Sequence, residues 1–197
     1  VTRPFDLHAD GRPPPDPMDV ARSWLPDDDE PDRPQVVLST LGTDGCPDAR
    51  TVLLTSFDAT GFAFHTARSS RKVEQLAAAP RAAMTATWPG FTRQLVLRGE
   101  VVPDPDEARA WAARSDHLRR LAWLNTHELA RLDLAGRRSG WAADVPTDEG
   151  SAPAPSWVGY RLQPVELTFW AGGADTASRR LRYTRQDDGW RWEHLAG

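Results

Sequence analysis

Residues Arg50 to Lys72 read R-T-V-L-L-T-S-F-D-A-T-G-F-A-F-H-T-A-R-S-S-R-K. The stretch holds the single lysine of a 197-residue chain whose other 23 basic residues are arginine. Phe62, Ala63, Phe64 and His65 have strand character. Ser69 or Ser70 then offers an N-cap, Val73, Leu76 and Ala77 recur at helical spacing, and Pro80 ends the run. The pattern predicts a strand followed by a helix whose first turn carries Arg71 and Lys72. Cations at that end oppose the helix dipole. A lone lysine is compatible with a solvated face, but two adjacent cations in this place are better explained by a bound anion. Helix-terminal N–H groups with Arg and Lys make a phosphate site, and Arg50 on the preceding strand can supply a third cation.

Outward from this stretch, strands are predicted over Gln35 to Leu41, Ala49 to Thr55, Phe62 to Thr66, Ala82 to Thr87 and Arg93 to Val102. Thr43-Asp44-Gly45, Asp58 to Gly61 and Pro89-Gly90 supply the turns. In the last of these strands Gln94, Val96 and Arg98 share one face and Leu95 and Leu97 the other. Further strands are read at Trp157 to Leu162, Val165 to Trp170, Leu181 to Arg185 and Trp190 to Leu195. Short hairpin-linked strands with one crossover helix point to a small antiparallel barrel. Asp16-Pro17 starts a helix with Val20, Trp24 and Leu25 on its apolar side. Asp104-Pro105 opens a helical region with Ala108, Trp111 and Ala112 on one face. Leu118, Leu121, Ala122 and Leu124 continue it, and residues 131–155 form a partly irregular excursion. Val1 to Asp16 reads as a flexible arm before a single domain over 17–197. Pro26 to Pro34 reads as an acidic, proline-rich linker, whose carboxylates between Asp27 and Asp32 belong to a solvated loop rather than a metal site.

Composition narrows the function. A net charge of −4 gives no reason to expect nucleic acid binding. No apolar run reaches membrane-spanning length and no signal peptide is visible. The one cysteine, Cys46, rules out an internal disulfide, fits a reducing cytoplasm and is read as structural. No His/Cys/carboxylate set has metal-ligand spacing. Nine tryptophans are many for this length; such residues serve cores, interfaces and planar ligands.

The central stretch resembles the flavin-binding core of the pyridoxamine 5′-phosphate oxidase family: an R-x-V-L-L strand, a hairpin, an aromatic strand ending in Thr, and S-R-K before a helix. The likeness continues in R-Q-L-V-L-R-G (Arg93 to Gly99), W-V-G-Y-R-L (Trp157 to Leu162), E-L-T-F-W-A-G-G (Glu166 to Gly173) and R-R-L-R-Y-T-R (Arg179 to Arg185). It implies a mainly β, α+β chain folded as an antiparallel split barrel with peripheral helices. It also implies a homodimer holding FMN between its subunits. Carried over, Arg50, Thr51, Val52, Leu53 and Leu54 line the cofactor, Thr66, Arg71 and Lys72 surround its phosphate, and His65, where the family often has Tyr or Ser, is counted among the cofactor-binding residues. Gln94 meets the ring edge, and Trp170 and Arg180 come from the other subunit. The family reaction is hydride transfer from an amine or alcohol carbon to the flavin, with O₂ reoxidising it. The cofactor carries that chemistry, so no catalytic residue is named.

On the substrate side the chain departs from the vitamin B6 oxidases. Thr55 stands where they have Lys, Trp111 where they have Tyr, and Thr176-Ala177-Ser178 where they have R-x-H. Arg114 is a candidate to keep one phosphate contact. A Gln-Ser pair that contributes to FMN in the family is missing near His127-Glu128. The preferred expectation is therefore an FMN-dependent oxidase of another small aromatic or heterocyclic metabolite, such as a phenazine-type aromatization in secondary metabolism. A B6 oxidase with a rebuilt pocket, and a flavin carrier or sensor, stay open; related split barrels also bind F420 or haem.

Overall fold

The computed structural model describes residues 4–25, 35–148 and 150–197. The order is α1 (Pro17–Trp24), β1 (Gln35–Leu41), β2 (Pro47–Asp58), β3 (Gly61–Ala67), α2 (Arg71–Ala78), β4 (Arg81–Thr87), a 3₁₀ turn at Pro89–Phe91 and β5 (Arg93–Pro103). Then follow α3 (Glu107–Ala112), α4 (Asp116–Leu124), α5 (His127–Ala130), α6 (Leu134–Trp141), β6 (Trp157–Ala171), β7 (Arg179–Gln186) and β8 (Gly189–Ala196). The strands lie in the order β3-β2-β1-β4-β5-β6-β7-β8, and β3 also pairs with β6. That second pairing closes β1 to β6 into a six-stranded antiparallel barrel, from which β7 and β8 extend. It is the small antiparallel barrel that the strand pattern predicts and the split barrel that the resemblance implies.

Alternation decides what fills it. Leu38, Phe62, Phe64, Met84, Leu167 and Phe169 are fully buried; each such side chain contributes about 1.5–3 kcal/mol. Helix α1 is capped by Asp16, whose Oδ1 accepts from the Met18 N–H at 2.9 Å. It presses Trp24 edge-on to Phe169 at 5.3 Å between ring centres. The Arg93 guanidinium lies 5.4 Å from both the Trp24 and the Trp88 ring, a double cation–π contact.

The seam of the barrel is β6. Its first part pairs with β3 as far as Leu162 and its last part with β7 from Glu166, while β5 runs beside both. Where the sequence predicts two strands there is one. Gly99 pairs with Pro164 and Arg98 with Glu166, so Val165 is the extra residue of a bulge. Proline is tolerated at such a bulge, and the bulge bends the strand from barrel into outer sheet.

Other expectations change. Residues 4–16 form no regular element, yet they are not a loose arm. Leu7 is buried, Trp24 Nε1 donates to the Phe5 carbonyl at 2.9 Å, and the Tyr183 hydroxyl donates to the Pro14 carbonyl at 2.8 Å. Leu7, the Phe5 side chain packed against the core and the paired backbone carbonyls outweigh the proline-rich composition. In α3 the buried residues are Ala110 and Trp111, not Ala108 and Ala112. Residues 131–155 include α6, which buries none of its side chains. Cys46 is exposed at the β1–β2 turn. The acidic linker lies outside the described residues.

Gly99 tests the seam. A Cβ there would collide with the Gln163 carbonyl oxygen and approach Pro164 Cα at 2.9 Å. Gly99→Ala should cost about 1–3 kcal/mol, read as a lower urea midpoint at unchanged slope. An unchanged midpoint would show that the seam yields.

Candidate functional site

Lys72 is the second residue of α2 and is partly buried. Its Nζ donates to Thr66 Oγ1 at 3.0 Å and to Ser70 Oγ at 2.7 Å. Ser70 stands at the N-cap, but its hydroxyl does not cap the helix; it serves Lys72. Burial, and then the charge of Arg50, push the lysine below its usual range, and Asp48 pulls it back in part. An ammonium, two hydroxyls and a helix N-terminus form a set rich in donors, which suits a phosphate.

Arg50 and Arg71 flank this cluster and meet on one carboxylate. Asp48 Oδ2 lies 2.8 Å from Arg50 Nη2 and 3.5 Å from Arg71 Nη2, and it accepts from Gln75 Nε2 at 2.9 Å. Arg50 also donates to Thr40 Oγ1 at 2.5 Å and Gln75 Oε1 at 2.9 Å. These contacts fasten β2 to β1 and α2, and the Gln75 bond leads the causes that hold the Asp48 carboxyl below its usual range.

On the other side of β3, the neighbour of Thr66 enters a different compartment. The His65 side chain is fully enclosed. Nδ1 pairs with Thr55 Oγ1 at 3.0 Å. Nε2 stands 3.4 Å from Asp104 Oδ2 without hydrogen-bond geometry. The ring stacks on Trp157 at 4.2 Å, and Trp111 meets Trp157 edge-on at 5.1 Å. Arg114 lies over Trp157 at 5.2 Å. It donates to the Leu118 carbonyl, and its buried Nε has no partner among the described residues. Burial, with Arg119 nearby, lowers Arg114 to about 10. Behind Asp104, Arg161 is buried and is neutralised by Asp104 at 2.9 Å and Asp58 at 3.0 Å. Burial lowers His65 to about 4, against Asp104 and with Arg114 and Arg161, so the imidazole is neutral near neutral pH.

The remaining expected residues lie elsewhere. Gln94, Trp170, Arg180 and Leu195 are register partners across β5, β6, β7 and β8, and they line one shallow concavity with Val96 and Thr168. Gln94 and Trp170 are therefore neighbours on one face within the chain. Thr176 is exposed and Ser178 half-buried in the β6–β7 connection. On β2, Val52 and Leu54 point into the core, while Thr51 is exposed and Leu53 half-buried. The structure thus joins Arg50, Thr66, Arg71 and Lys72, and separately joins Thr55, His65, Trp111 and Arg114. Sequence reasoning missed Asp48, Asp104 and Trp157 as site residues, and it read Ser70 as a helix cap rather than a partner of Lys72. Asp48, two residues before Arg50 on a strand, shares its face and was the one findable signal.

Comparison with known proteins agrees with this architecture. Residues 27–171 match the family model for pyridoxamine 5′-phosphate oxidase. The chain belongs to the pyridoxamine 5′-phosphate oxidase family. Residues 157–197 match that family's pyridoxine 5′-phosphate oxidase C-terminal dimerisation region. The pyridoxine/pyridoxamine 5′-phosphate oxidase of Anaeromyxobacter dehalogenans is 39% identical over 166 residues, covering 81% of this chain and 82% of that protein. The Caulobacter vibrioides enzyme of the same name is 35% identical over 187 residues, covering 91% and 84%. Among solved structures, PhzG from Burkholderia lata, in complex with tetrahydrophenazine-1-carboxylic acid, superposes with a TM-score of 0.75 at 25% identity. That match covers 94% of each chain. A pyridoxamine 5′-phosphate oxidase-related, FMN binding protein of Nostoc punctiforme gives 0.68 at 22% identity, covering 83% and 88%, and shows the fold. Among the described residues no helix is long and apolar enough to cross a membrane.

His65 gives the site a pH signature. The unfolded imidazole titrates near 6.5 and the folded one at about 4, so between these values the unfolded state binds more protons. The contribution is complete above pH 6.5 and is lost as pH falls toward 4, by about 3 kcal/mol in all. Urea unfolding at roughly pH 7 and pH 4.5 should show a smaller loss in His65→Gln than in the wild type. Equal losses would contradict the buried neutral imidazole.

Proposed function

We propose that this family member is an FMN-dependent oxidase of a small planar cyclic metabolite that carries no phosphate, with O₂ as electron acceptor. Family membership makes it an oxidoreductase with FMN as cofactor. The donor set at Lys72, Thr66, Ser70 and the start of α2 fits the FMN phosphate, with Arg50 and Arg71 beside it. Bound there, FMN supplies a hydride acceptor; the chain's own residues bind, orient and exclude water.

The observation that carries the substrate reading is the buried aromatic cluster of Trp111, Trp157 and His65, packed ring on ring. Thr55 is engaged with His65, and Arg161 is already neutralised. Arg114 is left as the cation without a carboxylate partner among the described residues. One partly desolvated guanidinium matches a carboxylate on a flat ring better than a phosphate dianion. PhzG, solved with a tricyclic carboxylic acid, supports the same class. A second reading, turnover of pyridoxine 5′-phosphate, is favoured by the names of relatives up to 39% identical.

Pairing of two copies completes the site in this reading. Val158, the partner of Thr66, and Trp170, the partner of Gln94, are 12 residues apart on β6. That contour is at most about 40 Å at ~3.3 Å per residue, and the two points lie on either side of the bulge, one on the barrel and one on the outer sheet. The Lys72 cluster of one subunit and the Gln94–Trp170–Arg180 row of another would then hold one cofactor. The match of residues 157–197 to a dimerisation region supports a homodimer.

Three measurements test this. The protein should purify with FMN, and Lys72→Ala should weaken FMN binding by about one to two decades; a wild type that cannot be loaded ends the reading. Lys72→Ala and Arg180→Ala chains, unfolded and refolded together, should recover tight sites up to roughly a quarter of the total, whereas no recovery means each site lies within one chain. Steady-state oxidation of pyridoxine and pyridoxamine 5′-phosphate should be poor. A KM in the typical range of about 1 µM–1 mM with ordinary turnover would establish the second reading instead.

A further inference from the structure

The cofactor cluster contains a carboxylate that its chemistry does not call for. Asp48 projects among Arg50, Arg71 and Lys72, and its Oδ2 meets two of those cations as well as Gln75. A phosphate dianion placed at Lys72 would meet Asp48 as a like charge, in competition for both guanidiniums. The two cations are not equally committed. Arg50 is held from four directions, by Asp48, Gln75, Thr40 and the Leu38 carbonyl. The Arg71 side chain is 75% exposed and touches Asp48 at the looser distance of 3.5 Å, so it can change partner at little cost. Lys72, held by two hydroxyls and pushed down by burial, gains most from an incoming anion.

We propose that Asp48 is an internal competitor of the FMN phosphate: it engages Arg50 and Arg71 while the site is empty and so lowers cofactor affinity and speeds cofactor exchange. Binding then moves Arg71 from the carboxylate to the phosphate, while Arg50 keeps its structural contacts to β1 and α2. The ligand class is a flavin with a terminal phosphate, and the inference rests on the FMN reading above. It differs from that reading in sign, because Lys72→Ala weakens FMN binding whereas loss of the Asp48 charge strengthens it.

The test is Asp48→Asn, which keeps an oxygen to accept from Gln75 and Arg50. The dissociation constant for FMN, by quenching of flavin fluorescence, should fall roughly fivefold to tenfold, with slower release. Riboflavin, which lacks the phosphate, should bind both proteins equally. Asp48→Ser, which removes the charge with less packing, should shift FMN in the same direction. If the wild type binds FMN and both variants bind it equally or more weakly, Asp48 is a brace for Arg50 and the proposal fails. If riboflavin tightens as much as FMN, the effect is not electrostatic competition and the proposal also fails. Failure of the wild type to bind FMN is a separate outcome that overturns the cofactor reading, and this inference with it.

Discussion

Everything in the molecule hangs on one long strand that has to satisfy three neighbours. β6 lies beside β5 along most of its length and changes its other partner midway, from β3 to β7. The change requires a place where the ladder can be interrupted without orphaning buried backbone groups. Pro164, the bulge at Val165 and the bare backbone of Gly99 meet at that place. One half of β6 closes the barrel and puts Trp157 against His65; the other half carries Trp170 onto the outer sheet. The Trp157–His65 group and the Gln94–Trp170–Arg180 row are separated by the same device that closes the fold.

Most of this organisation is legible in the sequence because it rests on local periodicity. β1 falls where the alternation of Gln35 to Leu41 puts it. The first turn of α2 carries Arg71 and Lys72 as the Val73-Leu76 spacing predicts, although the Ser70 hydroxyl at the N-cap position does not cap it. The continuity of β6 was hidden by Pro164, which reads as a strand end unless its partner at the bulge is known. The packing of residues 4–16 was hidden because contacts such as Tyr183 to Pro14 have no local signal.

The site was half legible for a related reason. Lys72 and Arg71 stand out by residue type and place, and the family resemblance names Arg50 and Thr66. Nothing in the sequence says that His65 faces Asp104 rather than the phosphate cluster. That follows from strand alternation combined with the passage of the β5–α3 junction over Gly159, where any Cβ would come within 2.5 Å of His65 Nε2. The aromatic compartment is likewise a product of elements remote in sequence, with Trp111 from α3, Trp157 from β6 and His65 from β3.

The strapping of residues 4–16 to β7 has a kinetic side. The Tyr183–Pro14 and Arg179–Leu7 hydrogen bonds join residues 169 and 172 positions apart. Contacts of such separation close only after the intervening chain is largely in place, because they demand nearly the full loop-closure entropy of the chain. Residues 4–16 are therefore among the last to find their native partners. Until then Leu7 and the Trp24 face of α1 stay exposed to water. The segment carries that apolar surface until β7 has been made, which makes it a natural client of a holding chaperone.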